Sequence, residues 1–178
     1  MSSRPNFFQR GLLWFFMQKS VSVAIPPTLH RVDGFFWRIS GGQFFFSSKL
    51  VGIPAFRVTS TGAKSGQPRA LVLFGFSEDK KIALIASNFG QANNPSWYYN
   101  LKANPKCQVE WKGTLCEYIA HEAEGEEREK FWSMAVSYYK GYELYAVRAA
   151  PRPAASRSWF WSLRKNCQDE NFMIKLRA

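Results

Sequence analysis

The sequence predicts a mainly β (α+β) domain: an antiparallel barrel of about six strands, with N-terminal and peripheral helices. Three observations carry this. From Ala55 onward the apolar period changes from helical to strand-like spacing. Most of the strands are joined by short polar turns and not by helices, which excludes a parallel α/β sheet. The chain has 178 residues, 46% of them hydrophobic, enough for one core and one domain.

The elements follow in order. Gly11–Met17 is apolar, but Gln18 and Lys19 end the run. It is far short of the ~20 residues that cross a bilayer. It is also a poor signal peptide, because no small-residue cleavage site follows. Pro26-Pro27 breaks this first helix and Thr28 can cap a second. Leu29, Val32, Phe36 and Ile39 repeat at helical spacing, and Gly41-Gly42 ends the helix. Ser47-Ser48 and Gly52-Ile53-Pro54 read as connection. Strands are expected at Ala55–Ser60, Arg69–Phe76, Lys81–Ser87, Lys106–Trp111 and Thr114–Glu122, with a last one at Asn171–Arg177. Between them lies a helix over Pro95–Ala103, with Asn94 as its cap and Pro95 at its first position. Gly125 to about Tyr138 is an acidic-then-apolar helix, and a shorter helix or turn carries Tyr139–Arg148. The domain division expected is a helical extension over 1–50 and a barrel over 51–178, with an insertion at about 149–170.

Charge narrows the ligand class. The formal net charge is +11 with pI ≈ 9.8. Residues 1–50 carry +5, 51–120 carry +4, 121–146 carry −3 and 147–178 carry +5. Basic ends around an acidic stretch suit anions such as phosphorylated cofactors, acidic lipid or nucleic acid. Cys107, Cys116 and Cys167 form no CxxC or Cys/His cluster, so neither a disulfide framework nor a metal site is expected. A reducing cytoplasm is the default. His30 and His121 stand alone, and no Ser-His-Asp set or carboxylate pair stands out. Hydrolysis is disfavoured, and the chemistry falls to a cofactor.

Three segments could hold one. In Thr59–Arg69 (TSTGAKSGQPR), Gly62 and Gly66 allow a tight turn that presents N–H groups to an anion. Thr61 and Ser65 add hydroxyls; Lys64 and Arg69 add charge. GxxxxGK[ST] is absent, so this is no Walker loop. A phosphate cradle and an ordinary basic turn both stay open. In Ala86–Leu101 (ASNFGQANNPSWYYNL), a strand ends in small polar residues and opens a glycine-containing loop. Ser87 and Asn88 could hydrogen-bond a ring edge, with Trp97 beside that ring or in the core. In Tyr138–Arg148 (YYKGYELYAVR), Tyr142 and Tyr145 share a helical face, as proton donors or as packed phenols.

In this order and spacing, TSTGAKSGQPRALVL, ASNFG…NPSWYYNLKANP and GEEREKFW…YYKGYELYAVR resemble the deazaflavin (F420)-dependent nitroreductase family. The resemblance implies a six-stranded split β-barrel and hydride transfer from reduced coenzyme F420 to quinones, nitroaromatics or similar acceptors. It places Thr61, Gly62, Lys64, Ser65, Gln67 and Arg69 on the phosphate and acidic tail. Ala86, Ser87, Asn88, Gly90 and Trp97 would border the deazaflavin. Ser87, Tyr139, Tyr142 and Tyr145 would face the acceptor as catalytic residues. Many members carry Arg where this chain has Ala63. Residues 149–170 would be an insertion that covers the site, binds a partner or forms a flap.

An FMN-dependent reductase of the split-barrel group is the runner-up reading, and a non-catalytic deazaflavin carrier is another. A nucleic-acid binder rests only on charge and aromatics and is not expected. Split barrels commonly pair, which leaves a homodimer open. Phe7, Phe8, Leu12, Trp14, Phe15 and Phe16, flanked by Arg4, Arg10 and Lys19, suit a helix lying on the inner face of a membrane, or one packed on the domain or a partner. Peripheral contact through residues 1–25 predicts that anionic liposomes pellet the full chain and leave a chain lacking those residues in the supernatant. Equal pelleting would remove the N-terminal anchor.

Overall fold

Alternation along β1 (Ala55–Thr61) sets the plan of the barrel: Phe56, Val58 and Ser60 are buried, while Arg57, Thr59 and Thr61 are only partly covered. The structure, a computed structural model, describes residues 7, 9, 11, 26–78, 81–88, 91, 93–148 and 160–165. The remaining strands are β2 (Pro68–Glu78), β3 (Lys81–Ile85), β4 (Lys106–Trp111), β5 (Thr114–Glu122) and β6 (Phe160–Lys165). They close into a barrel in the order β1-β2-β3-β6-β5-β4, and every neighbouring pair is antiparallel. This is the six-stranded antiparallel barrel with helices that the sequence predicts.

The closing strand differs from expectation. It is Phe160–Lys165, inside the stretch read as an insertion, and Asn171–Arg177 lies outside the described residues. The reason is two-sided burial. Trp161 and Leu163 face the barrel interior, Phe160 joins an outer cluster, and Ser162 has no exposed surface. A strand apolar on both faces shows no clean alternation, so FWSLRK does not read as a half-covered strand. The same holds for β3, where Ile82 and Leu84 face inward while Ala83 and Ile85 pack outward.

Two clusters therefore hold the fold. The interior contains Phe56, Val58, Leu84, Val109 and Leu163, joined by Trp97, Tyr98 and Leu101 of helix α3 (Ser96–Ala103). Each fully buried Leu or Phe contributes about 1.5–3 kcal/mol of transfer free energy. The outer cluster joins β2, β3 and β6 to α4 (Gly125–Tyr138) and α5 (Gly141–Arg148). Pro95 takes the cap position of α3, one residue later than expected.

The N-terminal helices dock elsewhere. Helix α1 (Pro26–Ile39) lays Trp37 against the Arg57 guanidinium, 4.4 Å from the ring centre, and Arg57 pairs with Glu110 at 2.9 Å. Phe46–Val51, expected as connection, is a short helix α2 that ends at Gly52. Buried Asp33 stabilises it by accepting the Ser47 N–H at 2.8 Å. No helix of the described residues is long and apolar enough to cross a membrane. Of residues 1–25 only 7, 9 and 11 are described, and Phe7 is exposed.

A charged clamp fixes α4 to the sheet. Glu127 Oε1 accepts from Lys81 Nζ at 2.7 Å and from Ser162 Oγ at 3.1 Å, and Oε2 lies 2.8 Å from His121 Nε2. Burial opposes the charge, but these three donors outweigh it and hold the Glu127 carboxyl down from 4.5 to about 2. Because the folded value is the lower one, the clamp's stabilisation is complete above about pH 4.5 and is lost as pH falls toward about 2. Glu127→Gln should lower the urea midpoint at neutral pH, with the gap from wild type narrowing by about pH 3. An equal gap at both pH values would sink this account.

Candidate active site

The β1–β2 turn is built around a hydrogen bond from Gly66 N–H to the Gly62 carbonyl at 2.8 Å, backed by Gly62 N–H to the Gln67 carbonyl at 2.9 Å. Gly62 keeps the turn tight: a Cβ there would lie 2.6 Å from Ser65 Oγ and 3.2 Å from the Gln67 carbonyl oxygen. Ser65 Oγ accepts the Gln67 N–H at 3.3 Å. The turn's first N–H, of Ala63, donates to Asn100 Oδ1 at 3.0 Å. The next two, of Lys64 and Ser65, have no partner within the described protein. Lys64, Ser65, Gln67 and Arg69 are all exposed, and neither Lys64 nor Arg69 makes an ion pair among the described residues. Two outward amides with two uncommitted cations form a donor set that fits a phosphate. Beside the turn opens a groove of about 280 Å³ lined by Thr59, Thr61, Pro68, Lys106, Gln108 and Glu117, among others.

The second segment runs off the end of β3. Ala86 joins the interior cluster and Ser87 is 8% exposed. Asn88 adopts a left-handed backbone (φ 42°), a conformation Asn tolerates. Its Nδ2 donates to the Asn93 carbonyl at 2.8 Å, and its own carbonyl accepts the Gln91 N–H at 3.0 Å. The Asn88 amide nitrogen is thus already engaged in shaping the loop. Trp97 is buried in the interior cluster, the core placement left open by the sequence. Gly90 lies outside the described residues.

Three phenols meet in the outer cluster. Tyr139, Tyr142 and Tyr145 pack edge to face, with centroids 5.3–6.2 Å apart. The hydroxyls of Tyr139 and Tyr145 are 3.1 Å apart. Burial raises all three phenols above the usual value of 10.0, so each stays protonated at neutral pH. Gly141, which sequence reasoning did not single out, makes this possible: a Cβ there would overlap the Tyr139 ring. Its only signal was its place within YYKGY. Cys107 is a packing residue, its thiol pushed up to about 12 by burial. Among the described residues no three His, Cys, Asp or Glu side chains are grouped to hold a metal ion.

Strand β2 joins the first and third segments. Leu71 and Leu73 pack on the interior cluster, and Phe74 packs on the tyrosine cluster. Alternation then puts Ala70 and Val72 on the outer face between turn and tyrosines. From Arg69 to Phe74 this strip runs about 17 Å at ~3.3 Å per residue.

The fold defines a class, the closed six-stranded antiparallel barrel, and the family supplies the activity, that of an oxidoreductase. The chain belongs to the F420H(2)-dependent quinone reductase family, whose model matches residues 31–152 and so contains all three segments. The solved structure of an F420-H2 dependent reductase (FDR-A) is 37% identical, with TM-score 0.54, and the alignment covers 62% of this chain and 93% of that one. A second solved structure, a domain-swapped dimer, is 36% identical with TM-score 0.53, over 64% of this chain and 80% of that one. An F420H(2)-dependent quinone reductase of Mycobacterium tuberculosis, Rv1261c, is 38% identical over 56 residues, which is 32% of this chain and 38% of that protein.

Proposed function

We propose that this chain binds reduced coenzyme F420 and directs its hydride to a quinone, nitroaromatic or similarly activated acceptor. The observation that carries the reading is the β1–β2 turn, with its outward Lys64 and Ser65 amides and uncommitted Lys64 and Arg69 cations. It stands at one end of an open strip whose other end is the tyrosine cluster. Thr61, Gly62, Lys64, Ser65, Gln67 and Arg69 would hold the phosphate and acidic tail. Ser87, Asn88 and Gly90 would border the ring, with Ala86 and Trp97 supporting that wall from the barrel interior. When bound, reduced F420 supplies the hydride.

The protein's own contribution is orientation and a proton. Ser87 and Tyr142 donate to the acceptor oxygen as negative charge develops there, and such donors act most strongly when preorganised in a site that excludes water. Burial keeps the Tyr142 phenol protonated, and no described residue hydrogen-bonds its hydroxyl. A two-copy assembly is consistent with the domain-swapped relative and forms part of the proposal.

Fluorescence titration with F420 and, in parallel, FMN tests the cofactor. F420 should bind more tightly, and Lys64→Ala should weaken it by about tenfold, the loss of one charge-assisted contact. Preference for FMN would transfer the assignment to a flavin reductase, and binding of neither would leave only the fold. In turnover assays Tyr142→Phe should lower kcat while the F420 dissociation constant stays unchanged. Undiminished kcat removes Tyr142 as the donor.

A further inference from the structure

Asn100 lies on helix α3, in its second turn, and belongs to none of the residues read as ligand contacts. Its side chain leaves the helix and enters the β1–β2 turn. Oδ1 accepts the Ala63 N–H at 3.0 Å, and Nδ2 donates to Ser60 Oγ at 3.3 Å. Ser60 is buried, and its hydroxyl in turn reaches the Arg69 carbonyl at 3.5 Å. One amide therefore touches the tip of the turn and, through Ser60, both strands at its base.

The arrangement matters because of what it leaves free. In a turn closed from Gly66 N–H to the Gly62 carbonyl, the N–H groups of Ala63, Lys64 and Ser65 lie on the open side, as in the first turn of a helix. Asn100 takes the first, and the other two remain for a ligand. Ala63 brings no charge of its own, so anion binding here rests on those amides and on Lys64 and Arg69. The turn is otherwise exposed from Ala63 to Ala70, and exposed turns are where backbone order is weakest. On the helix side Asn100 is anchored by its neighbour Leu101, which has no exposed surface.

We infer that Asn100 is a positioning residue for the phosphate end of the cofactor: it ties the turn to α3 so that the Lys64 and Ser65 amides are preset for an anion. This rests on the reading that the turn holds the phosphate. It binds no ligand atom itself and acts by reducing the ordering cost of binding.

The test uses the full chain and two ligands, F420 and its chromophore without phosphate and tail. Asn100→Ala should weaken F420 by about tenfold, the worth of a lost hydrogen bond that orders the turn, and leave the phosphate-free chromophore unchanged. KM for reduced F420 should rise by a similar factor while kcat at saturation holds. Ser60→Ala, which keeps the Oδ1–Ala63 bond but removes the Nδ2 partner and the link to the Arg69 carbonyl, should show a smaller shift in the same direction. In the cofactor-free protein, exchange of the Ala63 amide should quicken by about tenfold in Asn100→Ala. Equal weakening of both ligands, or unchanged F420 affinity, overturns the inference. If wild type binds F420 no better than the phosphate-free chromophore, the reading of the turn itself has failed, and the inference falls with it.

Discussion

Closure of the barrel through β6 is the constraint on which the rest depends. β6 pairs with β3 on one side and with β5 on the other. Without it both would be open edges with unpaired backbone groups. Its side chains also serve both apolar clusters: Trp161 and Leu163 complete the interior, and Phe160 and Ser162 receive α4 through Trp132 and Glu127. Phe160 of β6 packs in one cluster with Tyr139, Tyr142 and Tyr145, so closure of the sheet also helps to place the tyrosines.

The division into interior and outer clusters bears on where the proposed site lies, on the outside of the barrel. The barrel interior is packed with Phe56, Leu84, Trp97, Leu101 and Leu163. On the outside, α4 and α5 cover one end of β2 with aromatic side chains, while the turn at its other end is polar and exposed. A ligand with an apolar ring and an anionic tail matches that gradient along a single strand. The two ends are also held by different interactions. The phenols are locked by mutual packing, whereas the turn depends on the Asn100 tie and the closing hydrogen bonds around Gly62.

Much of this was legible in the sequence. β4, β5 and α4 begin and end where the periodicity puts them, because each has one covered and one solvated face. The exposed turn was legible too, since TGAKSGQP has glycines and cations that only a turn uses together. Helix α2 was not, because its stability comes from Asp33, fourteen residues upstream, and from Gly52 beyond its end. The role of Asn100 was not either, since it depends on a turn brought close by folding, and that of Gly141 depends on how the Tyr139 ring packs back over it.

The sequence by itself determined the class of fold, the family and the three segments that could carry chemistry. Those follow from local periodicity, turn composition and motif order, which are properties of neighbouring residues. The tertiary structure decided which strand closes the barrel, that Trp97 faces the core, and that the turn and the tyrosines lie at opposite ends of β2. Those facts depend on which faces are buried by segments distant in the chain. Apolar residues of one strand can face the interior or the outer cluster, as Leu163 and Phe160 do, and packing decides which.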